Sequence, residues 1–319
     1  LQGQVNNRTA IVAIRKDRWV ANLFYRLADK NTRNGIQIFE DFCKSGHMKE
    51  KDILAMRVLG DDAQIPAYRF ENVLLRKNRR FYNGDESNFV NLFASDYNDD
   101  FPDPFVRADI LNWLYQVQAL SGPTGDKGLF QVSELARSLQ VYGHSLAVIY
   151  RELAYLARKN LVLCENSAMP IEEGDLVKIT IPGALHLQML RNVSYLSACA
   201  EDTLFKNTEV MTRISNRLKF HESDSKLVVA LNARDLVNYL IEYRKEYLTN
   251  SDELVSEKAI ISSVDLNDSL HAVEQWIQAD ENLKKTISEI DYFTVDMDVD
   301  ACVVSKNSGG VVCTIADKD

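Results

Sequence analysis

Several patterns that mark common protein classes are absent from this chain of 319 residues. The five cysteines and five histidines are dispersed, without a CxxC pair or two ligands one helical turn apart, so we expect reduced thiols and no structural metal. No apolar run approaches the ~20 residues that span a bilayer, and the amino terminus does not resemble a signal peptide. These absences predict a cytoplasmic chain with no membrane partner.

Motifs of hydrolases and ATPases are also missing. There is no GxSxG sequence to place a nucleophilic serine, and no GxxxxGK[ST] sequence to hold phosphates. The run from Gly122 to Gly128 has glycines and a lysine, but at the wrong spacing, and is expected to be a turn. We therefore expect no catalytic residue, no bound cofactor and no ATP hydrolysis by this chain alone.

Positive charge is scarce and local. A formal net charge of −9 argues against a general affinity for nucleic acid, so any such site must be confined to a patch. One basic run stands out beside two aromatic residues: Arg76, Lys77, Arg79 and Arg80. It is predicted to contact nucleic acid, to bind an acidic partner or to clamp a domain junction.

The clearest succession of elements lies between Phe105 and Pro182. Apolar periodicity predicts a helix that ends near Leu120, and a β-prone segment at 129–132 precedes a short helix over 133–139. A third helix is expected from Ser145, followed by strands at 161–163 and 176–181 that enclose a polar tip. This is the order of a winged helix-turn-helix.

The third helix and the hairpin of such a module decide its ligand, because both present cations when it reads DNA. The outward face of the third helix is predicted to carry His144, Arg151, Tyr155 and Arg158. The hairpin tip instead carries Glu165, Glu172, Glu173 and Asp175, with no lysine or arginine. Since this tip repels phosphate, protein contact is the favoured use and duplex binding the alternative.

The first 60 residues are predicted to be helical, with amphipathic segments over Ile11–Lys30 and Asn34–Lys44. Within them, Asn31 to Phe42 reads NTRNGIQIFEDF, which resembles the "Gly-Asn-x-Arg" helix start in the lid of AAA+ and STAND P-loop ATPases. The segments RRFY from Arg79 and NFVNLF from Asn88 resemble the connector between this lid and a winged helix in large bacterial ATPases. The resemblance covers roughly residues 20–205.

This resemblance implies a nucleotide role for one residue. The family's lid arginine, matched by Arg33, approaches the γ-phosphate, although the glycine that precedes the motif is replaced by Lys30. ATP and Mg²⁺ would then belong to a nucleotide domain upstream in the parent protein. From its residues alone, Arg33 is favoured as a solvated surface side chain, and the alternative is a cation at a helix amino terminus suited to an anion.

Beyond the hairpin the pattern returns to helices and ends in strands. One long helix is predicted over Ala184–Phe205, in which Glu201 and Asp202 are expected to be solvated or to cap, and others over Arg234–Leu248 and Asp268–Ile290. Residues Tyr292 to Ser305 then alternate in polarity, and with Val311–Ile315 they predict a hairpin that docks on a sheet, a subunit or a partner. Its aspartates at 296, 298 and 300 are expected to be solvated rather than to bind a cation.

Together these patterns predict a mainly α protein with a small β component. The predicted parts are a lid-like helical domain (1–81), an irregular surface connector (82–104), a winged helix (105–182), a helical extension (183–290) and a β-hairpin (291–319). The favoured function is a non-catalytic regulatory region of a P-loop ATPase that relays nucleotide state to a protein partner or an oligomer. The alternative is a winged-helix protein that binds DNA.

Overall fold

The computed structural model describes residues 7–47, 54, 58–59, 67–95, 103–120, 128–166, 170–221, 225–247, 263–296, 302–307 and 310–315. Within these ranges the chain is mainly helical, with one three-stranded antiparallel sheet and one two-stranded hairpin. The predicted mainly α fold with a small β component is confirmed. The chain divides into two units, Leu1–Glu274 and Gln275–Asp319.

The amino-terminal helices are α1 (Asn7–Lys16), α2 (Arg18–Ala28), α3 (Thr32–Lys44) and α4 (Ala67–Arg76). The helix predicted over Ile11–Lys30 is two helices, because the Asp17 carboxylate accepts hydrogen bonds from the amides of Trp19 and Val20 and so starts α2 anew. Helices α2 and α3 pack together, and α3 packs on α4 through Phe42 and Phe70, whose ring centroids are 5.7 Å apart.

The connector that follows α4 is irregular, as predicted, over its described residues 82–95 and 103–104. Its predicted surface position is wrong, because Phe89, Leu92 and Phe93 are fully buried. The sequence is rich in Asn, Asp and Ser, which favoured a surface loop. A short apolar run in the middle, from Phe89 to Phe93, instead draws the segment into the core.

Buried irregular backbone needs hydrogen-bond partners, and two side chains from the helices beyond the winged helix supply them. The Tyr195 hydroxyl donates to the Val90 carbonyl at 2.8 Å and accepts from the Leu92 amide at 3.3 Å. The Val90 amide donates to Nε2 of His186 at 2.9 Å. The Phe89 ring packs on both side chains, 5.1 Å from the imidazole and 6.1 Å from the phenol ring.

The predicted winged helix is present. It comprises α5 (Val106–Leu120), β1 (Phe130–Gln131), α6 (Val132–Val141), α7 (Leu146–Arg158), β2 (Val162–Cys164) and β3 (Leu176–Ile179). The antiparallel strand order is β1-β3-β2, with Phe130 opposite Val177 and Val162 opposite Ile179. The turn between α6 and α7 contains Gly143 at φ 93°, a conformation that favours glycine.

Five helices continue the larger unit: α8 (Ile181–Met189), α9 (Val193–Asp202), α10 (Thr208–Phe220), α11 (Lys226–Tyr247) and α12 (Asn267–Gln278), the last of which runs across the boundary between the units. The single helix predicted over Ala184–Phe205 is wrong. The Asn192 side chain accepts from the Tyr195 amide at 2.9 Å and starts α9 as a separate helix. Helix α8 packs on α2 and α5, and α9 packs on α11.

The carboxyl-terminal unit contains α13 (Glu281–Asp296), β4 (Cys302–Asn307) and β5 (Gly310–Ile315). The two strands form an antiparallel hairpin, with Cys302 opposite Ile315, so the predicted hairpin is present. Its predicted beginning at Tyr292 is wrong, because no glycine or proline interrupts the chain after Glu281 and α13 continues through Asp296. Asp298 and Asp300 lie outside the described residues.

Removing the Tyr195 hydroxyl tests how the connector is held. We expect Tyr195→Phe to lower the free energy of unfolding by about 1–3 kcal/mol for each connector group left unpaired. Urea denaturation measures the loss. Tyr150→Phe is the matched control, since the Tyr150 hydroxyl bonds to no described residue and its removal is expected to be nearly neutral. Equal stabilities for Tyr195→Phe and the control would contradict this role.

Candidate functional site

The predicted basic cluster does not form one surface. Arg76 is 2% exposed, donates to the Asn72 side chain at 2.9 Å and forms a buried ion pair with Glu201. The prediction that Arg76 contacts a ligand is therefore corrected: its guanidinium is a structural clamp between α4 and α9. A buried cation is retained where an anion compensates for its desolvation, and Glu201 fills that role.

The other three members of the cluster lie nearer the surface, and each has a partner. Lys77 pairs with Asp41 at 3.5 Å, and Arg79 pairs with Glu86 of the connector. The Arg80 guanidinium lies 4.9 Å from the centroid of the Phe81 ring. Of the three uses considered for this cluster, clamping a domain junction matches the contacts of Arg76 and Arg79.

Two adjacent carboxylates at the end of α9 accept hydrogen bonds from the start of the connector. Glu201 accepts from the Tyr82 amide at 2.7 Å, and Asp202 accepts from the Gly84 amide at 3.0 Å. Burial raises the pKa of both carboxyl groups, against the hydrogen bonds that they accept. A Cβ at Gly84 would lie 2.8 Å from that of Asn91, so only glycine fits here. The expectation that Glu201 is solvated or caps a helix is wrong, because its side chain is 1% exposed and pairs with Arg76.

The same connector turn covers part of the third helix of the winged helix. The Tyr155 hydroxyl donates to the Asp85 carboxylate at 2.7 Å, and the Lys159 ammonium donates to the Asp85 carbonyl at 2.5 Å. Burial, with the Asp85 charge adding to it, raises the pKa of Tyr155. Tyr155, predicted to contact a ligand, is thus engaged within the chain.

Arg107 joins three parts of this junction. Its guanidinium donates to Glu152 of α7 at 2.6 Å and to the Asn91 carbonyl of the connector at 3.1 Å. It also lies 3.9 Å from the centroid of the Tyr155 ring. Arg151, another predicted contact residue, donates to the second oxygen of Glu152 at 2.8 Å. Sequence reasoning missed Arg107 and Glu152, although a glutamate beside the buried Leu153 was a signal for a paired charge.

His144 is buried rather than outward-facing, which corrects its prediction as a contact residue. Its Nδ1 lies 2.5 Å from Asp103 and its Nε2 lies 3.0 Å from Asp109. Burial alone would lower the pKa of His144, but the hydrogen bonds and charges of both carboxylates outweigh it and raise the pKa to about 10. The imidazolium therefore donates from both nitrogens at neutral pH and is not available as a general base.

Asp109 extends this cluster to the segment before α12. It accepts from the Ser263 hydroxyl at 2.9 Å and from the Val264 amide at 2.7 Å. Burial opposes its ionisation, but the hydrogen bond and charge of His144, followed by the charge of Arg244, lower the pKa of Asp109. Ser263 donates to the carboxylate and not to the imidazole, so the two residues do not form a serine–histidine pair. The cluster ties α5, the start of α7 and residues 263–264 together.

Two further predicted site residues lie at the surface, far apart in the sequence. Arg158 is exposed near the end of α7. Arg33 is exposed in the first turn of α3, where the Asn31 side chain accepts from the amides of Arg33 and Asn34. Lys30, at the position of the glycine in the "Gly-Asn-x-Arg" pattern, has φ 60°, a conformation that glycine adopts without strain.

Other kinds of site are not evident in the part of the chain that the structure describes. No three His, Cys, Asp or Glu side chains converge there as ligands for a cation. Among the same residues, no helix has both the length and the apolarity to cross a bilayer. A groove of 510 Å³ lies between α5, α8 and residues 263–269, and its lining includes Tyr115, Gln188 and Arg191.

Comparison with known proteins adds no relative from which a role could be transferred. The chain matches no family model, no curated protein and no solved structure. The site is therefore defined by its geometry: a junction at which the connector binds the winged helix and the two helices that follow it. Its charged side chains, among them Arg76, Arg107 and Glu201, form ion pairs inside the chain.

The two buried histidines predict opposite pH dependences of stability. His144 has a folded pKa of about 10 against 6.5, so its stabilisation is complete below about pH 6.5 and is lost as pH rises toward 10. His186 donates from Nδ1 to the Pro182 carbonyl, and burial lowers its pKa to about 4, so its stabilisation is lost as pH falls from 6.5 toward 4.

Urea denaturation at pH values from 4 to 10 measures how the free energy of unfolding falls on the acid side and on the alkaline side. Each of these two limbs has a limiting slope of about 1.4 kcal/mol per pH unit. We expect His144→Gln to flatten the alkaline limb and His186→Gln to flatten the acid limb. His221→Gln, at a half-buried position, is the matched control and should keep both slopes. An alkaline slope that persists in His144→Gln would show that His144 is not held between carboxylates in solution.

Proposed function

We propose that this chain is a non-catalytic interaction region whose winged helix binds protein rather than duplex DNA. The observation that carries the proposal is the engagement of the third helix by the connector, through Tyr155 and Lys159 on Asp85. A helix that reads DNA must lie in the major groove with its polar side chains free to reach base edges. In this chain, two of those side chains already have partners.

The wing supports the same proposal through its charge. Glu165, Glu172 and Glu173 are exposed, and Asp175 is half-buried. The described wing residues carry no cation near its tip to offset these four carboxylates, and phosphate neutralisation dominates the affinity of proteins for DNA. An acidic wing beside a helix that is partly covered favours a protein partner.

The proposed setting is a cytoplasmic P-loop ATPase of the AAA+ or STAND kind, with ATP and Mg²⁺ held elsewhere in the parent protein. It rests on the resemblance of residues 31–42 and is supported by the exposed Arg33 in the capped first turn of α3. In that setting the connector would relay nucleotide state from the amino-terminal helices to the winged helix and its partner. A P-loop sequence upstream in the same reading frame would support this setting, and a reading frame without one would contradict it.

DNA binding is the direct test of the proposed function. We expect no change in the fluorescence anisotropy of a labelled duplex of mixed sequence at about 50 mM salt, where non-specific affinity is strongest. Binding that weakens steeply at about 200 mM salt would contradict the proposal. The variant Arg158→Glu should then abolish the signal, because Arg158 is the exposed arginine of α7. Lys219→Glu on α10 is the matched control, since it makes the same charge change at another exposed helical position.

A further inference from the structure

Two exposed surfaces of the chain are chemically complementary. The first, here called the acidic wing surface, combines Val141, Leu146 and Tyr150 of the winged helix with Glu172 and Glu173 of the wing. Val141 and Leu146 are 38% and 44% exposed, at the end of α6 and the start of α7. Tyr150 lies one turn beyond Leu146 on α7. The wing meets the start of α6, where the Ser133 amide donates to the Glu173 carbonyl at 3.1 Å. This surface therefore has an apolar centre with carboxylates at its edge.

The second, here called the basic hairpin surface, consists of Arg18, Tyr25, Lys30, Arg33 and Ile36 on α2, α3 and their connecting turn. Tyr25 and Ile36 are 57% and 56% exposed. The three cations are exposed and form no ion pair with any described residue. Residues 7–47 carry eight Lys and Arg against four Asp and Glu, so this end is positive within a chain of net charge −9. Its apolar residues again lie beside free charges, here of the opposite sign.

We propose that copies of this chain associate head to tail, with the basic hairpin surface of one copy docked on the acidic wing surface of the next. The proposal rests on the proposed function and identifies the protein partner as a second copy. Opposite charges would steer the two surfaces together, and the exposed apolar residues would be removed from water. Because the two surfaces differ, the contact is heterologous and extends to a ring or a chain of copies.

We assign a second copy to the acidic wing surface because the chain itself carries a patch of the opposite charge. Uniformly acidic molecules repel one another, so a chain of net charge −9 attracts its own copies only through a local positive patch. The basic hairpin surface is such a patch, and it also supplies apolar side chains. Nucleic acid bound to the same cations is the competing occupant and is an outcome of the test.

Sedimentation velocity over rising protein concentration measures this association. We expect oligomers at about 50 mM salt that dissociate at about 500 mM salt, because screening shortens the range of the charge–charge attraction. The double variants Arg18→Glu/Arg33→Glu and Glu172→Lys/Glu173→Lys should each weaken association at least about tenfold, since each places like charges opposite one another. A wild-type chain that stays monomeric at low salt and high concentration would overturn the proposal.

Mixing the two double variants provides the sharpest readout. In Arg18→Glu/Arg33→Glu both surfaces are acidic, and in Glu172→Lys/Glu173→Lys both surfaces are basic, so neither variant should associate with itself. In the mixture, each surface of one variant meets a surface of opposite charge on the other. Oligomers should therefore reappear only in the mixture. A mixture that stays monomeric while the wild type associates would show that these two surfaces do not meet. Leu146→Asp removes an apolar residue from the acidic wing surface and leaves the charge of the basic hairpin surface unchanged, and it should weaken association. Equal association of this variant and the wild type would also contradict the proposal.

Matched controls make the same charge changes elsewhere. Glu242→Lys/Glu246→Lys and Lys219→Glu/Lys245→Glu are at exposed helical positions outside both surfaces and should leave association unchanged. Anisotropy with labelled duplex DNA separates the outcomes. A monomer that binds no DNA defeats the head-to-tail contact and leaves the proposed protein-binding function standing. DNA binding that Arg18→Glu/Arg33→Glu abolishes would assign the basic surface to nucleic acid and defeat the head-to-tail contact, whereas DNA binding that Arg158→Glu abolishes would defeat the proposed function.

Discussion

The hydrogen bonds that join the side chains of Tyr195 and His186 to the backbone around Val90 are the constraint on which the rest of this structure depends. An irregular segment enters a protein core only if each of its peptide groups finds a partner there. The phenol hydroxyl satisfies a carbonyl and an amide at once, and the neutral imidazole accepts from a third group. With these partners in place, Phe89, Leu92 and Phe93 can bury their side chains and join the amino-terminal helices to the winged helix.

The connector also determines what the winged helix can bind. Asp202 and Glu201 of α9 fix the turn at Gly84 and Asp85, because they accept hydrogen bonds from the amides of Gly84 and Tyr82. Asp85 in turn meets Tyr155 and Lys159, while Arg107 links the connector to Glu152. A rearrangement of the connector would therefore change the exposed face of the third helix, which couples the proposed relay of nucleotide state to the accessibility of the partner site.

Much of the fold could be predicted from the sequence, because the winged helix is built from local signals. Glycine and proline runs end its helices, and alternating residues mark its strands close to where the structure has them. The break at Asn192 and the buried connector were not predictable in the same way. In both, a polar residue that usually favours a surface turn makes a specific hydrogen bond in or near the core, and the sequence pattern does not indicate which partner it meets.

The candidate site was harder to predict than the fold, since its residues come from distant parts of the chain. Arg76 and His144 were expected at the surface as cations, whereas Glu201 and the pair Asp103 and Asp109 neutralise them inside. Such pairing depends on long-range packing. Arg33 and Arg158, which lie at helix ends, are exposed as expected.

Amide hydrogen exchange at Val90 and Leu92 is the most direct test of the buried connector. If these amides are held by His186 and Tyr195 in solution, they exchange only when the whole unit unfolds, as slowly as the amides in the middle of α9. Exchange of Val90 and Leu92 at the rate of an exposed loop, while α9 stays protected, would show that the connector is not part of the core and would contradict its role as the link between the helices and the winged helix.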